Sequence, residues 1–128
     1  MSNDVFISID CNNTGRIIES YILNNGIIGL RRYNLRLNNA IDSLSKWIIE
    51  IGGTVYLSGG DIILALIGEE FISDARLHID KYTEPEIQFS IGVGRDALSA
   101  YLALKYAKAI KECAPVFYDK GVFALKKE

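Results

Sequence analysis

The chain predicts an α+β domain of split βαβ, ferredoxin-like topology, with a central antiparallel sheet and helices packed on one face. Three observations carry this. Apolar strands and helical periodicities alternate in the order strand, helices, strand, strand, helix, strand, helix. A Gly59-Gly60 pair marks a tight hairpin between two of the strands. With 128 residues, 49% of them apolar and 23% charged, the chain is expected to form one domain over 1–128 and to bury a core without staples.

Asp4 to Asp10 reads as a short apolar strand, and the polar loop Cys11-Asn12-Asn13-Thr14-Gly15 follows it. Arg16 to Asn24 reads as a short helix broken by Asn25-Gly26. From Ile28 to Ile51, Tyr33, Leu37, Ala40, Leu44, Trp47 and Ile51 recur at spacings of three and four. That places them on one face of a long helix, which Gly52-Gly53 ends. Thr54 to Ser58 and Asp61 to Ile67 are the strands of the hairpin, joined at Gly59-Gly60. Phe71 to Lys81 is a helix, Glu86 to Val93 a strand, and Ala97 to Glu112 a helix with Asp96 as its N-cap. The tail from Val116 to Leu125 supplies one more strand or a hairpin around Asp119-Lys120-Gly121.

Charge and cysteine usage narrow the function. A net charge of −2 creates no global field for a polyanion, so extended nucleic acid is not expected as a partner. Cys11 and Cys113 are far apart and lack CxxC spacing, which reads as reduced thiols in a cytoplasmic protein. The start Met1-Ser2-Asn3-Asp4 has no basic, apolar signal pattern, and no apolar run reaches membrane-spanning length, so no membrane partner is expected. His78 is the only histidine, so Ser-His-Asp and Cys-His mechanisms have little support, and no zinc-ligand spacing exists.

Two acids stand at strand ends: Asp10 closes the first strand and Asp61 opens the third. In the split βαβ topology the third strand inserts antiparallel beside the first, which makes these two positions neighbours. Converging carboxylates suit Mg²⁺ or Mn²⁺, which take one or two carboxylates together with substrate phosphate oxygens. The backbone N–H groups of Cys11 to Gly15, leading into a helix N-terminus, form an expected anion cradle, with Asn12, Asn13, Thr14 and Gly15 binding nucleotide. Gly59 and Gly60 would let a base or sugar approach the hairpin closely.

Asp10, then Ser58-Gly59-Gly60-Asp61, then Phe89-Ser90-Ile91-Gly92-Val93-Gly94 and Ala103-Leu104-Lys105-Tyr106-Ala107-Lys108 resemble the motifs of the palm domain shared by nucleotidyl cyclases. That group includes the GGDEF diguanylate cyclases, the polymerase-like subunit of type III CRISPR complexes and archaeal GTP cyclohydrolase III. The resemblance covers Val5 to Lys111, and the short length is most similar to the minimal CRISPR polymerases. It implies a nucleotidyltransferase of palm type that joins nucleoside triphosphates, ATP first, into a cyclic di- or oligonucleotide messenger for antiviral defence. It further implies that Asp10, the backbone carbonyl of Cys11 and Asp61 bind metal, and that Lys108 contacts the triphosphate. Ser58 and Lys105 belong to the same nucleotide-binding motifs. Because one palm offers one site, a homodimer or higher homo-oligomer with facing sites is expected.

The match departs from the family at two places. Minimal polymerases tend to show Gly-Asp where this chain has Cys11-Asn12, and GGDEF and CRISPR palms carry a second acid where Ile62 stands. The alternatives are a GTP cyclohydrolase III-like hydrolase and a degenerate palm that senses a nucleotide. Plainer readings stand beside each motif: Asp61 as a turn former, Lys105, Lys108 and Lys111 as a solvated helix face, and Arg31, Arg32 and Arg36 as another.

Overall fold

The computed structural model describes residues 3–125, and residues 1, 2 and 126–128 lie outside the described residues. In chain order the elements are β1 (Asp4–Cys11), α1 (Thr14–Leu23), α2 (Ile27–Glu50), β2 (Thr54–Gly59), β3 (Ile62–Gly68), α3 (Ile72–Asp80), β4 (Phe89–Gly94), α4 (Ala97–Ala109), β5 (Val116–Asp119) and β6 (Val122–Leu125). The strands form one sheet in the order β2-β3-β1-β4-β5-β6. β3 and β4 flank β1 antiparallel on either side, so the third strand does insert between the first two. β5 then joins β4 parallel, making the sheet mixed at that edge.

Strict alternation along β1 sends Val5, Ile7, Ile9 and Cys11 to one face, where Ile63, Ala65 and Ile67 of β3 and Phe89, Ile91 and Val93 of β4 join them. Tyr33, Leu37, Ala40, Ile41, Leu44 and Ile48 of α2, with Ile72, Ala75 and Ile79 of α3, close over this face as the main core. The buried stripe of α2 runs through Ile41 and Ile48, and leaves the expected Trp47 and Ile51 partly buried at its rim. Trp47 instead stacks on His78 of α3, with ring centroids 5.3 Å apart.

One helix departs from the expected single layer. On the opposite face of β4, a Cβ placed on Gly92 would overlap the backbone of Ala100 and Leu104. α4 therefore lies across that second face, in contact with β4, β5 and β1, and buries Ala103 and Ala107 against Val116. The α+β class stands, while its helices divide between the two faces. Small residues explain the division: Gly92 and Gly94 meeting the backbone of Ser99, Ala100 and Leu104, with Ala103 and Ala107 against Val116, allow an approach that larger side chains would block.

Element ends shift for local reasons. The β2–β3 turn is Gly60-Asp61 rather than Gly59-Gly60, because only Gly60 needs a left-handed backbone, at φ +60°. The strand expected from Glu86 starts at Phe89, since Glu84 and Ile87 pair in a tight turn first. The helix expected to reach Glu112 stops at Ala109, where Lys111 turns left-handed and the Glu112 N–H reaches back to the Ala107 carbonyl. The tail forms a hairpin through Lys120 and Gly121, both at positive φ.

Candidate active site

Register sets the carboxylate pair. Asp10 lies across from Ile62 on β3, and the Cys11 N–H donates to the Asp61 carbonyl at 2.9 Å, so the end of β1 is tied to the hairpin that carries Asp61. With Ile9 and Cys11 in the main core, alternation turns the Asp10 side chain to the α4 face. There Lys108 of α4 places its Nζ 3.1 Å from Asp10 Oδ2. The other oxygen, Oδ1, is buried and has no hydrogen-bond partner.

This environment raises the pKa of Asp10. Burial is the largest cause, the hydrogen bond from Lys108 opposes it, and the nearby Asp61 carboxylate adds to it. A buried carboxylate oxygen with no partner costs about 1–3 kcal/mol in an apoprotein, and a cation at that point removes the penalty. The residues fit a divalent ion: Asp10, Asp61 and the Cys11 carbonyl, which accepts a long 3.4 Å hydrogen bond from Thr14 Oγ1. Burial pushes the Cys11 thiol up, and strand alternation sends its side chain into the main core, away from the Asp10 carboxylate, which leaves the carbonyl as its contribution to the site. Among the described residues no group of three or more His, Cys, Asp and Glu gathers around one point. The set suits Mg²⁺ or Mn²⁺, which leave several positions to water and phosphate oxygens.

Beside the pair opens a cavity of about 350 Å³, lined by Asn12, Asn13, Arg16, Gln88, Lys108, Lys111 and Cys113. It holds three cationic side chains and no carboxylate. By sequence Arg16 marks only the start of a helix, yet α1 begins at Thr14 and carries it to the cavity wall. By spacing Lys111 belongs to a solvated row, and its backbone turns left-handed where it joins the same wall. A basic residue in the first helical turn after an Asn-rich loop was the available signal for Arg16. Nothing local marked Lys111.

The anion cradle is smaller than expected. The Cys11 N–H bonds Asp61, and the Asn12 N–H bonds the Gln88 carbonyl at 2.7 Å, so both are committed to strand partners. Asn13 adopts φ +61° as the α1 N-cap, without a side-chain cap bond, and leads into Thr14 and Gly15, where a Cβ would meet open space. Gly59 and Gly60 also face open space.

Two motif residues are directed elsewhere. Ser58 pairs with Ile63, on the α2 face, and its hydroxyl bonds Ser45 of α2. Lys105 sits over the Tyr101 ring at 5.3 Å. Arg36 pairs with Glu84 and Glu86, and His78 is engaged with Trp47 and Ser43, so neither belongs to the site. No helix among the described residues is long and apolar enough to cross a membrane.

Similar folds are found among solved structures. A diguanylate cyclase/phosphodiesterase from Caldicellulosiruptor saccharolyticus matches with a TM-score of 0.61 at 15% identity, covering 96% of this chain and 80% of that one. An EAL/GGDEF domain protein from M. capsulatus matches with a TM-score of 0.56 at 19% identity, covering 92% and 86%. At these identities the likeness is one of fold. No curated protein sequence matches the chain. The sequence model of the minimal CRISPR polymerase domain matches residues 6–118, which takes in Asp10, the Gly-Gly-Asp hairpin, β4 and Lys108. The chain belongs to the minimal CRISPR polymerase domain family.

Proposed function

We propose that this polymerase- and cyclase-like domain is a nucleotidyltransferase that converts nucleoside triphosphates, ATP first, into a cyclic di- or oligonucleotide used in antiviral signalling. The observation that carries the reading is the buried, unpartnered Asp10 Oδ1 beside Asp61, with a carboxylate-free cationic cavity next to it. Acidic ligands for a cation and basic ligands for a polyphosphate stand side by side, as phosphoryl transfer requires. The signalling role rests on the family alone.

In each joining step a ribose hydroxyl oxygen of one nucleotide bonds to the α-phosphorus of another. The bond from that phosphorus to the α,β-bridging oxygen breaks, pyrophosphate leaves, and the hydroxyl proton passes to water. Two such steps close a cyclic dinucleotide and release two pyrophosphates. A bound Mg²⁺ or Mn²⁺ supplies charge stabilisation to the phosphoryl oxygens and lowers the pKa of the attacking hydroxyl. Asp10, Asp61 and the Cys11 carbonyl would hold it, while Arg16, Lys108 and Lys111 neutralise and orient the phosphate chain.

Cyclisation needs two nucleotides presented to each other, and we assign this to two copies of the chain. α4 leaves part of its sheet face uncovered. Tyr56 and Leu57 on β2 are 60% and 50% exposed, and Tyr101 on α4, on the same helix flank as Lys108, is 50% exposed. This apolar surface lies on the same face of the sheet as the Asp10 side chain, so pairing through it would turn two sites toward each other.

The test is incubation with each of the four triphosphates and Mg²⁺ or Mn²⁺, with products identified by mass spectrometry. A cyclic phosphodiester and pyrophosphate are expected from wild type and neither from Asp61→Ala. A ring-opened guanine product would make the domain a hydrolase. Nucleotide binding without turnover in either protein would make it a sensor.

A further inference from the structure

Asn12 stands where an acid is expected in the family, and its surroundings give it a different task. Ser90 lies on β4 directly across from Asp10, with its side chain on the α4 face, and is completely buried. A hydroxyl sealed from water needs a partner, and that of Ser90 donates to Asn12 Oδ1 at 3.0 Å. An asparagine amide has an acceptor at one end and two N–H donors at the other. With the acceptor engaged by Ser90, the donor end is left for the cavity that Asn12 lines.

The backbone of Asn12 is fixed as well. Its N–H donates to the Gln88 carbonyl at 2.7 Å, and its own carbonyl accepts from the Cys11 thiol at 3.9 Å. The side chain therefore springs from an anchored strand end rather than a free loop. Around it the cavity supplies Arg16, Lys108 and Lys111 and no carboxylate, a lining that offers donors throughout. A carboxylate at this position would introduce the one negative charge into a wall otherwise built to receive one.

We propose that Asn12 is an anion-binding donor rather than a metal ligand, its amide N–H₂ held toward the cavity by Ser90 to bind a phosphate oxygen of the triphosphate. Ser90 is the positioning residue. The inference rests on the reading of the site as one that handles triphosphates. It has a consequence for metal binding: the cation is left to Asp10, Asp61 and the Cys11 carbonyl.

The experiment is calorimetric titration with inorganic tripolyphosphate, with and without Mg²⁺, alongside turnover of ATP on the same preparations. Using tripolyphosphate removes the base and sugar from the measurement. Asn12→Asp, isosteric with the native side chain, is expected to weaken binding by about 10-fold or more, and Ser90→Ala by about 3-fold. Thermal melts establish that each variant is folded. Equal tripolyphosphate affinity in folded Asn12→Asp and wild type would overturn the proposal, as would a wild type that binds none. Tighter polyphosphate binding by Asn12→Asp in Mg²⁺ would overturn it in favour of a metal-ligand role. Failure of the catalytic reading is distinguishable: a wild type inert toward triphosphates that still loses tripolyphosphate on Asn12→Asp keeps this assignment and discards turnover.

Discussion

Asp10 is held in two opposed conditions at once. Burial and the Asp61 carboxylate raise its pKa, while Lys108 alone supports the ionised form. For an acid whose folded pKa lies above its unfolded value, the folded state binds the proton more tightly. The resulting stability is fully present below the unfolded pKa and is lost as the pH rises through the folded one. Wild type should therefore lose stability relative to Asp10→Asn as the pH climbs from below the ordinary carboxylate range toward neutrality, in metal-free buffer. Chemical denaturation at several pH values measures this, and a difference that stays flat or reverses would contradict it. The same substitution should reduce turnover by at least about 100-fold, because it removes a charged ligand at the reacting centre. Both acids were legible in the sequence, since each stands where an apolar strand meets a turn. Lys108 was legible only through its motif. Arg16, Lys111 and the bond from Ser90 to Asn12 were not, because each depends on which chain segments meet across the sheet.

At the scale of elements, the packing of α4 on β4 decides the site's geometry, for it alone carries Lys108 to Asp10. Its closeness depends on Gly92, where any Cβ would collide with the backbone of α4 rather than with a movable side chain. Gly92→Ala should destabilise the fold by about 3 kcal/mol, at the upper end of overpacking costs, since neither main chain can yield without the other. Loss of the cooperative melt, or a midpoint drop of several degrees, would be seen by circular dichroism. An unchanged midpoint would mean that the α4 backbone leaves room for a Cβ at Gly92. The element order was readable from periodicity, and the hairpin and the long α2 lie within a residue or two of expectation. What periodicity left open was the face: a helix repeats every 3.6 residues whichever side of a sheet it covers.

For the whole molecule, a sheet with α1, α2 and α3 toward one face and α4 on the other leaves apolar surface uncovered on the face to which Asp10 points. Phe6 and Tyr56 pair there with ring centroids 5.8 Å apart, adjoining the exposed Leu57 and Tyr101 flank. If this surface joins two copies, the double substitution Leu57→Glu with Tyr101→Glu should yield a monomer. Both side chains are half exposed, so the fold should be kept. Sedimentation would give the mass, and the product assay should show nucleotide still bound but cyclic product lost. A wild-type protein that sediments as a monomer while making cyclic product would remove the dimer from the mechanism.

By itself the sequence determined the α+β class, the run of strands and helices, and the two carboxylates at strand ends, because apolar periodicity and turn chemistry are local properties of the chain. The adjacency of Asp10 and Asp61 also followed, since the split βαβ order allows few other arrangements. Tertiary structure alone decided that α4 would cross the far face, that Ser58 would turn to α2, and that Arg16 and Lys111 would share a cavity with Lys108. Those outcomes depend on strand register and on how closely small residues let two backbones approach. Both are set by contacts between residues distant in the chain, which no local pattern encodes.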